Sequence, residues 1–216
     1  SRIITEDLSR ILAAPVEWGK LADATILVTG AAGFFASYVV LVLLAAGEEL
    51  GFGKRSPSIV GLVRDRNFAR ARFKEYLDSP RLNLIEQDVC DPLPEHIQAD
   101  YIIHAASPAS PTRFGSDPVG TIRPNTIGTE RMLELAKRCV TERLLFVSSS
   151  EVYGTALQDE KPIKENSSGC VDQLDPRSCY AESKRLGESM CLAWFNQYSV
   201  PISIIRPFHI YGPGIR

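Results

Sequence analysis

A glycine-spaced turn between an apolar run and a helical pattern constrains the fold of this chain more than any other feature. The β-branched run Thr25–Thr29 leads into Gly30 and Gly33, and the small Ala36 follows in the helical pattern. Gly30 permits a tight turn, Gly33 lets the backbone approach a pyrophosphate, and Ala36 allows the helix to pack closely on the strand. Free N–H groups at a helix N-terminus favour phosphate. This order predicts a dinucleotide-binding turn; a glycine-rich turn without a ligand is the alternative.

Strand and helix patterns alternate along the rest of the chain. Short apolar runs predict buried strands at Thr25–Thr29, Ser58–Val63, Leu82–Glu86, Tyr101–Ala105, Leu144–Ser148 and Pro201–Ile205. Helical spacing appears at Phe35–Ala46, Asn67–Leu77, Thr121–Cys139 and Arg177–Gln197, the last after a helix-start signal at Asp175-Pro176. The alternation predicts an α/β fold, a Rossmann-type doubly wound parallel sheet with helices on both faces. Functional residues are expected in the loops that follow the strands.

The chain is expected to divide into an N-terminal helical extension, residues 1–23, and a dinucleotide-binding catalytic domain, residues 24–216. An apolar stripe at helical spacing in the extension can pack on the domain or on a partner. The stripe consists of Ile4, Leu8, Ile11 and Leu12. The polar, Gly-containing segment Gly47–Pro57 is predicted to form a long exposed connection.

Composition and charge exclude several classes of protein. The chain has 24 basic and 26 acidic residues, scattered along its length, for a net charge of −2, so nucleic acid is not an expected partner. Its five cysteines are odd in number and form no C-x-x-C pair, which suits neither a disulfide framework nor a metal site. The longest apolar run, Val39–Ala46, is far shorter than the roughly 20 residues of a membrane span. We expect a soluble cytoplasmic protein with no metal.

Tyr180 and Lys184 stand four residues apart and therefore on one face of a predicted helix. A free phenol has a pKa of about 10, and a nearby ammonium and a positive nicotinamide both favour the phenolate. Tyr180 is expected to take a hydroxyl proton while hydride leaves the same carbon. Lys184 is expected to hold the nicotinamide ribose and to lower the pKa of the tyrosine. A half-buried packing tyrosine is the alternative.

A run of hydroxyls and a carboxylate follows the fifth predicted strand. Ser149 is expected to share a hydrogen bond with the substrate hydroxyl that Tyr180 deprotonates, and Glu151 to act as a second base or to position a water. Serines also satisfy turn backbone, and Glu151 can be a structural cap.

The end of the second predicted strand bears on the choice between NAD and NADP. Arg64 and Asp65 follow Val63 directly. An acidic residue there binds the ribose hydroxyls of NAD, whereas an arginine accepts the extra phosphate of NADP. We expect NAD, because families that oxidise and reduce the cofactor on one substrate usually hold NAD; NADP is not excluded. Both side chains can instead be solvated surface charges.

Seven motifs, spread over nearly the whole chain from Thr25 onward, resemble one family. They are Thr29–Phe34, Asp88-Val89, His104–Ser107, Asn125–Thr129, Ser149–Gly154, Tyr180–Lys184 and Arg206–Pro213. The resemblance is to the extended short-chain dehydrogenases/reductases, in particular the NAD-dependent nucleotide-sugar epimerases, dehydratases and decarboxylases. It implies that hydride moves from sugar C4 to NAD with Tyr180 as base, which leaves a 4-keto intermediate.

The resemblance also implies the binding residues and partners. Implied catalytic residues are Ser149, Glu151, Tyr180 and Lys184. Implied cofactor-binding residues are Gly30, Gly33, Phe34, Phe35, Arg64, Asp65, Asp88, Val89, Ala105, Ala106, Ser107, Asn125, Tyr180, Lys184 and Pro207. Implied substrate-binding residues are Ser107, Ser150, Arg177 and His209. The implied partners are a UDP-linked nucleotide sugar and a second copy in a homodimer, paired through the helices that contain Thr121–Cys139 and Arg177–Gln197.

Small departures favour one subgroup. Ser150 stands where the 4,6-dehydratases carry an acidic aspartate, so dehydration is disfavoured. The segments Ala106–Pro111 and Arg177–Tyr180 are similar to UDP-glucuronate decarboxylases, which makes decarboxylation the expected reaction. The alternatives are a 4-epimerase, a 4,6-dehydratase and a non-catalytic dinucleotide-binding module. His209 replaces the usual asparagine, and the small substrate lobe expected after the last motif is missing from the chain, so the 216 residues alone can lack activity.

Overall fold

Six parallel strands form one sheet in the computed structural model, which describes residues 2–154 and 162–215. The strands are β1 (Thr25–Thr29), β2 (Ser58–Val63), β3 (Leu82–Glu86), β4 (Tyr101–His104), β5 (Arg143–Val147) and β6 (Ile202–Ile205). Their order is β3-β2-β1-β4-β5-β6, and every neighbouring pair is parallel. The order reverses between β1 and β4, and at such a point an open α/β sheet leaves a crevice for a ligand. The predicted fold class is confirmed.

Six α-helices accompany the strands in the described residues. They are α1 (Arg2–Leu12), α2 (Phe34–Glu49), α3 (Arg66–Arg72), α4 (Pro111–Ser116), α5 (Pro118–Cys139) and α6 (Cys179–Tyr198). Capping explains where α5 begins, because the Asp117 carboxylate accepts a hydrogen bond from Gly120 N and Pro118 occupies the first turn. The predicted start signal of the last helix forms a 3₁₀ turn, Pro176–Ser178, that leads into α6.

Two apolar cores, one on each face of the sheet, receive alternate side chains of β1. Leu27 packs with the buried Met132 and Leu133 of α5 in the core that α5 and α6 cover. Ile26 and Val28 pack in the opposite core, beneath α2 and α3. A strand buried on both faces reads as a continuous apolar run, which is why β1 is so clear in the sequence. Helices on both faces are thereby confirmed.

The connection predicted at Gly47–Pro57 is wrong in its first part, because α2 continues to Glu49. The guanidinium of Arg81 donates to the Leu44 carbonyl at 3.0 Å and to the Glu48 carboxylate at 2.9 Å. Arg81 thus ties the last turns of α2 to the segment that precedes β3.

The N-terminal helix α1 packs on α2. Leu12 is buried against Ala45 and Ala46, and Leu8 and Trp18 flank this contact. Ile11, at 38% exposure, lies outside the contact. Only part of the predicted apolar stripe therefore packs on the domain, and this part contacts α2. No helix in the described ranges is long and apolar enough to cross a membrane.

Candidate active site

The turn after β1 needs glycine at Gly30. Its φ is +62°, and an added Cβ would lie 2.8 Å from Ala106 Cα, in the loop that follows β4. Gly33 N donates to the Gly30 carbonyl at 2.7 Å, and Gly33 is the N-cap of α2. The N–H groups in the first turn of α2 have no carbonyl partner within the helix, so this end attracts an anion.

Two cavities meet at this turn and share Gly30, Gly33, Ala105 and Ser107 in their walls. The first has a volume of about 260 Å³ and lies at the carboxyl ends of β1, β2 and β3. Its wall also contains five other residues that were predicted to bind the cofactor: Arg64, Asp65, Asp88, Val89 and Ala106. The second cavity has a volume of about 430 Å³. Its wall contains predicted catalytic, cofactor-binding and substrate-binding residues, namely Phe34, Phe35, Ser149, Ser150, Glu151, Tyr180, Lys184, Pro207 and His209. The structure thus brings most of the predicted residues into one groove.

Two predicted residues lie outside this groove. Asn125 is fully buried between α5 and α6, where its amide donates to the Thr121 carbonyl and to Ser183 Oγ. It lines neither cavity and joins two helices instead. The guanidinium of Arg177 is exposed and lies 3.9 Å from the Glu151 carboxylate, outside the lining of both cavities.

Tyr180, near the start of α6, is buried, and its ring stacks on Phe114 of α4 with centroids 4.4 Å apart. Burial raises the pKa of the phenol, and the Glu151 carboxylate adds to the rise. Hydrogen bonding from Ser149, and a weaker effect of Ser107, act in the opposite direction. Burial outweighs the lowering effects, so the pKa of the phenol lies above its ordinary value in the absence of cofactor, and the lowering by Lys184 beside a bound nicotinamide stays a prediction.

Lys184 lies one helical turn after Tyr180 and is only 3% exposed. Its ammonium donates to the Val147 carbonyl at the end of β5, at 2.7 Å. Burial lowers the pKa of this ammonium to about 7. Lys184 therefore gains and loses its charge near neutral pH, in the same cavity wall as the phenol.

Ser149 serves two purposes. Its Oγ accepts a hydrogen bond from Glu151 N at 3.2 Å, so it caps the short 3₁₀ turn Ser150–Tyr153. The same hydroxyl is close enough to the Tyr180 phenol to lower its pKa. The structural and the functional interpretations of this serine are thus compatible.

A buried network that the sequence analysis did not identify supports the loop after β4. Thr29 Oγ1 accepts from Ala105 N and Ala106 N at 3.1 and 3.0 Å, so its hydroxyl hydrogen is left for His104 Nδ1 at 2.8 Å. His104 Nε2 then donates to Thr129 Oγ1 at 3.1 Å. Burial lowers the pKa of His104 to about 3, so the imidazole is neutral. This network holds the loop against Gly30.

A second unpredicted network lies beneath the serine run. The Glu188 carboxylate accepts two hydrogen bonds from Arg206, at 2.9 and 2.6 Å, and one from Ser148 Oγ at 2.5 Å. Glu188 follows Lys184 by one more helical turn, so its spacing on α6 was the available sequence signal. The ion pair ties α6 to the ends of β5 and β6 and positions the loop that carries Ser149.

No group of His, Cys, Asp and Glu side chains suited to a metal ion occurs in residues 2–154 and 162–215.

The strand order and the glycine turn define a dinucleotide-binding type of α/β domain. Residues 26–216 match the model of the NAD dependent epimerase/dehydratase family, and the chain belongs to that family. The match confirms the family inferred from the motifs.

Two of the curated relatives are UDP-glucuronic acid decarboxylases. The chain is 39% identical over 190 residues to UDP-glucuronic acid decarboxylase 1 of Xenopus tropicalis. The aligned residues make up 87% of this chain and 41% of that relative. The chain is 40% identical over 194 residues to UDP-glucuronic acid decarboxylase 6 of Arabidopsis thaliana, covering 89% and 52%. The chain therefore spans roughly two-fifths to one-half of the length of these relatives.

Solved structures agree on the fold. The UDP-glucuronic acid 4-epimerase of Bacillus cereus, in complex with NAD, superposes with a TM-score of 0.71 at 25% identity, covering 89% of this chain and 59% of the other. The dTDP-glucose 4,6-dehydratase of Bacillus anthracis, also in complex with NAD, gives 0.70 at 25% identity, covering 88% and 56%.

Proposed function

We propose that this chain forms the dinucleotide-binding part of an NAD-dependent enzyme that converts a nucleotide sugar through a 4-keto intermediate. UDP-glucuronate is the proposed substrate and decarboxylation the proposed reaction. The observation that carries the proposal is the position of Tyr180, Lys184 and Ser149 in the wall of a cavity that continues into the glycine turn. A binding module without chemistry has no need for this arrangement.

NAD fits the residues of the groove. The positive φ of Gly30 and the exposed start of α2 suit a pyrophosphate, and Asp88 and Val89 line the end suited to adenine. Ser107 Oγ is buried without a hydrogen-bond partner at the junction of the two cavities, which leaves a polar group for a ligand there. Lys184 would hold the nicotinamide ribose. When bound, NAD supplies the acceptor for the hydride from sugar C4.

Tyr180 acts as the base in this proposal. The phenolate oxygen accepts the proton of the C4 hydroxyl while C4 loses hydride, and Ser149 donates a hydrogen bond to the sugar oxygen. Because burial raises the pKa of the phenol, the phenolate needs a cation nearby, and Lys184 is the buried cation on the same helix face.

The ketone at C4 explains the loss of carbon dioxide. The C6 carboxylate lies β to this ketone, so breaking the C5–C6 bond leaves an enolate that protonation converts back to the ketone. Return of the hydride to C4, with a proton from Tyr180, completes a UDP-pentose. This route differs from 4,6-dehydration because no water is expelled. An acid at the position of Ser150 is therefore not required.

A 4-epimerase is the second candidate. The specific observation in its favour is the structural likeness to the UDP-glucuronic acid 4-epimerase. Epimerisation needs the same Tyr180 and Lys184 and only a rotation of the keto sugar. The higher identity to the curated decarboxylases supports decarboxylation over this candidate.

We also propose a homodimer and a cytoplasmic location. Exposed apolar side chains on α5 and α6 support the dimer; they are Val119, Ile122, Leu186, Leu192 and Phe195. All five cysteines are free thiols, which supports a reducing compartment.

The proposal is tested by incubating the full-length protein with UDP-glucuronate and NAD and analysing the products by mass spectrometry. We expect carbon dioxide and a UDP-pentose, and no turnover with Tyr180→Phe. Conversion to an isomer of unchanged mass would establish the epimerase instead. Tight NAD binding without turnover of any UDP-sugar would contradict both enzyme assignments and support a non-catalytic module.

A further inference from the structure

The short helix α4, between β4 and α5, contains the buried side chain of Phe114, which is only 2% exposed. Phe114 belongs to neither of the two apolar cores that the described residues form on the faces of the sheet. It lines the second cavity together with Ser149, Glu151 and Tyr180. Phe114 is therefore buried against the candidate active site and not in the interior of the domain.

The ring of Phe114 lies nearly parallel to the ring of Tyr180. The interplanar angle is 10°, and the centroids are 4.4 Å apart. Because phenylalanine has no polar side-chain atom, this contact covers one face of the phenol ring without a hydrogen bond to its oxygen. The Ser149 hydroxyl acts on that oxygen instead. Phe114 thus sets the orientation of the ring, and the hydrogen bonding of the phenol is left to other residues.

The start of α6, where Tyr180 is the second residue, has no side-chain cap of its own. Ser178 precedes the helix and makes no capping hydrogen bond with its side chain. Helix ends without such support fray. Helix α4 provides a further contact here, because Cys179 Sγ donates to the Phe114 carbonyl at 3.6 Å. Burial raises the pKa of Cys179, so the thiol keeps the proton that it donates. Two consecutive residues of α6 are thus held by Phe114.

We propose that Phe114 is a positioning residue for Tyr180, because its ring orients the phenol and its carbonyl holds the residue before it. This inference rests on the proposed function, in which Tyr180 is the base. The phenol oxygen must reach the C4 hydroxyl while C4 faces the nicotinamide, and a displacement of about 1 Å in such an arrangement costs up to about a hundredfold in rate. Phe114 therefore affects the turnover number and leaves the affinity for substrate and cofactor nearly unchanged.

The test uses the full-length protein with UDP-glucuronate and NAD. Phe114→Leu removes the ring and keeps an apolar side chain; we expect kcat to fall about tenfold to a hundredfold, with KM and the Kd of NAD within about threefold of wild type. Phe114→Tyr keeps the ring and should retain kcat within about threefold.

Phe73→Leu is the matched control. Phe73 is 1% exposed in the core beneath α2 and α3, outside the walls of both cavities, so the same substitution there should leave kcat unchanged. Urea unfolding verifies that each variant is folded during the assay. If Phe114→Leu does not fold, Phe114→Met makes the same comparison.

The outcomes separate the positioning role from the proposed function. If Tyr180→Phe abolishes turnover but Phe114→Leu has the kcat of Phe73→Leu, the positioning role is refuted and the proposed function stands. Equal losses in Phe114→Leu and Phe114→Tyr, or a raised KM with unchanged kcat, would also refute the positioning role alone. If the wild type converts no UDP-sugar, or if Tyr180→Phe remains active, the proposed function fails and the positioning role fails with it.

Discussion

Because Lys184 is buried, its replacement by an apolar residue is expected to raise the free energy of unfolding. A pKa lowered from 10.5 to about 7 means that holding the charged ammonium in the folded protein costs at most roughly 5 kcal/mol below pH 7. Lys184→Met removes this cost but leaves the Val147 carbonyl without its donor, which costs about 1–3 kcal/mol. We therefore expect the variant to be more stable than the wild type near pH 6, by about 2–4 kcal/mol at most.

The difference in stability between the wild type and Lys184→Met should depend on pH. Between the folded pKa of about 7 and the unfolded value of 10.5, the unfolded chain binds more protons, so the contribution of Lys184 to stability rises with pH. The advantage of Lys184→Met should accordingly shrink by about 3 kcal/mol between about pH 6 and about pH 9.5.

Urea unfolding of wild type and variant at both pH values measures this difference. Lys74→Met, at an exposed lysine, serves as the control and should show no comparable pH-dependent difference. A Lys184→Met variant less stable than the wild type at both pH values by the same amount would refute the burial argument. Loss of turnover in this variant is expected throughout, since Lys184 belongs to the proposed catalytic pair.

Three further predictions concern the turn, the ion pair and the base. Gly30→Ala should weaken NAD binding about tenfold or more in calorimetry, because its Cβ meets the Ala106 backbone at a positive φ; unchanged affinity would refute the role of the turn. Glu188→Gln should lower the free energy of unfolding in urea by about 1–3 kcal/mol, because Arg206 loses the charge of its part-buried partner; a change below about 0.5 kcal/mol would contradict this. Tyr180→Phe should reduce turnover by about 10³-fold or more in a product assay with NAD affinity nearly unchanged; turnover within about tenfold of wild type would refute its role as base.

The sheet was predictable from the sequence because its strands are short apolar runs between polar residues. β1, β2 and β3 match their predicted bounds, β4 and β6 differ by one residue at one end, and β5 is shifted by one residue at both ends. Helix α4 was missed because its six residues include Gly115 and show no apolar periodicity. Tyr180 and Lys184 were found because four-residue spacing is a local signal.

The remaining features depend on tertiary contacts. The raised pKa of Tyr180 and the lowered pKa of Lys184 follow from burial, which spacing does not reveal. Asn125 belongs to a motif of the family, yet its contacts join α5 to α6. The hydrogen bonds of His104 join residues 75 and 25 positions apart. Such pairings depend on the order of the strands in the sheet, and local sequence patterns do not predict them.

The central claim is that hydride leaves and returns to one sugar carbon within the groove. The most direct measurement supplies the full-length protein with UDP-glucuronate deuterated at C4 and determines the label in the product by mass spectrometry and NMR. We expect a UDP-pentose that retains deuterium at C4, together with released carbon dioxide. A product whose C4 deuterium has exchanged with solvent, or release of carbon dioxide in the absence of C4 oxidation, would contradict it.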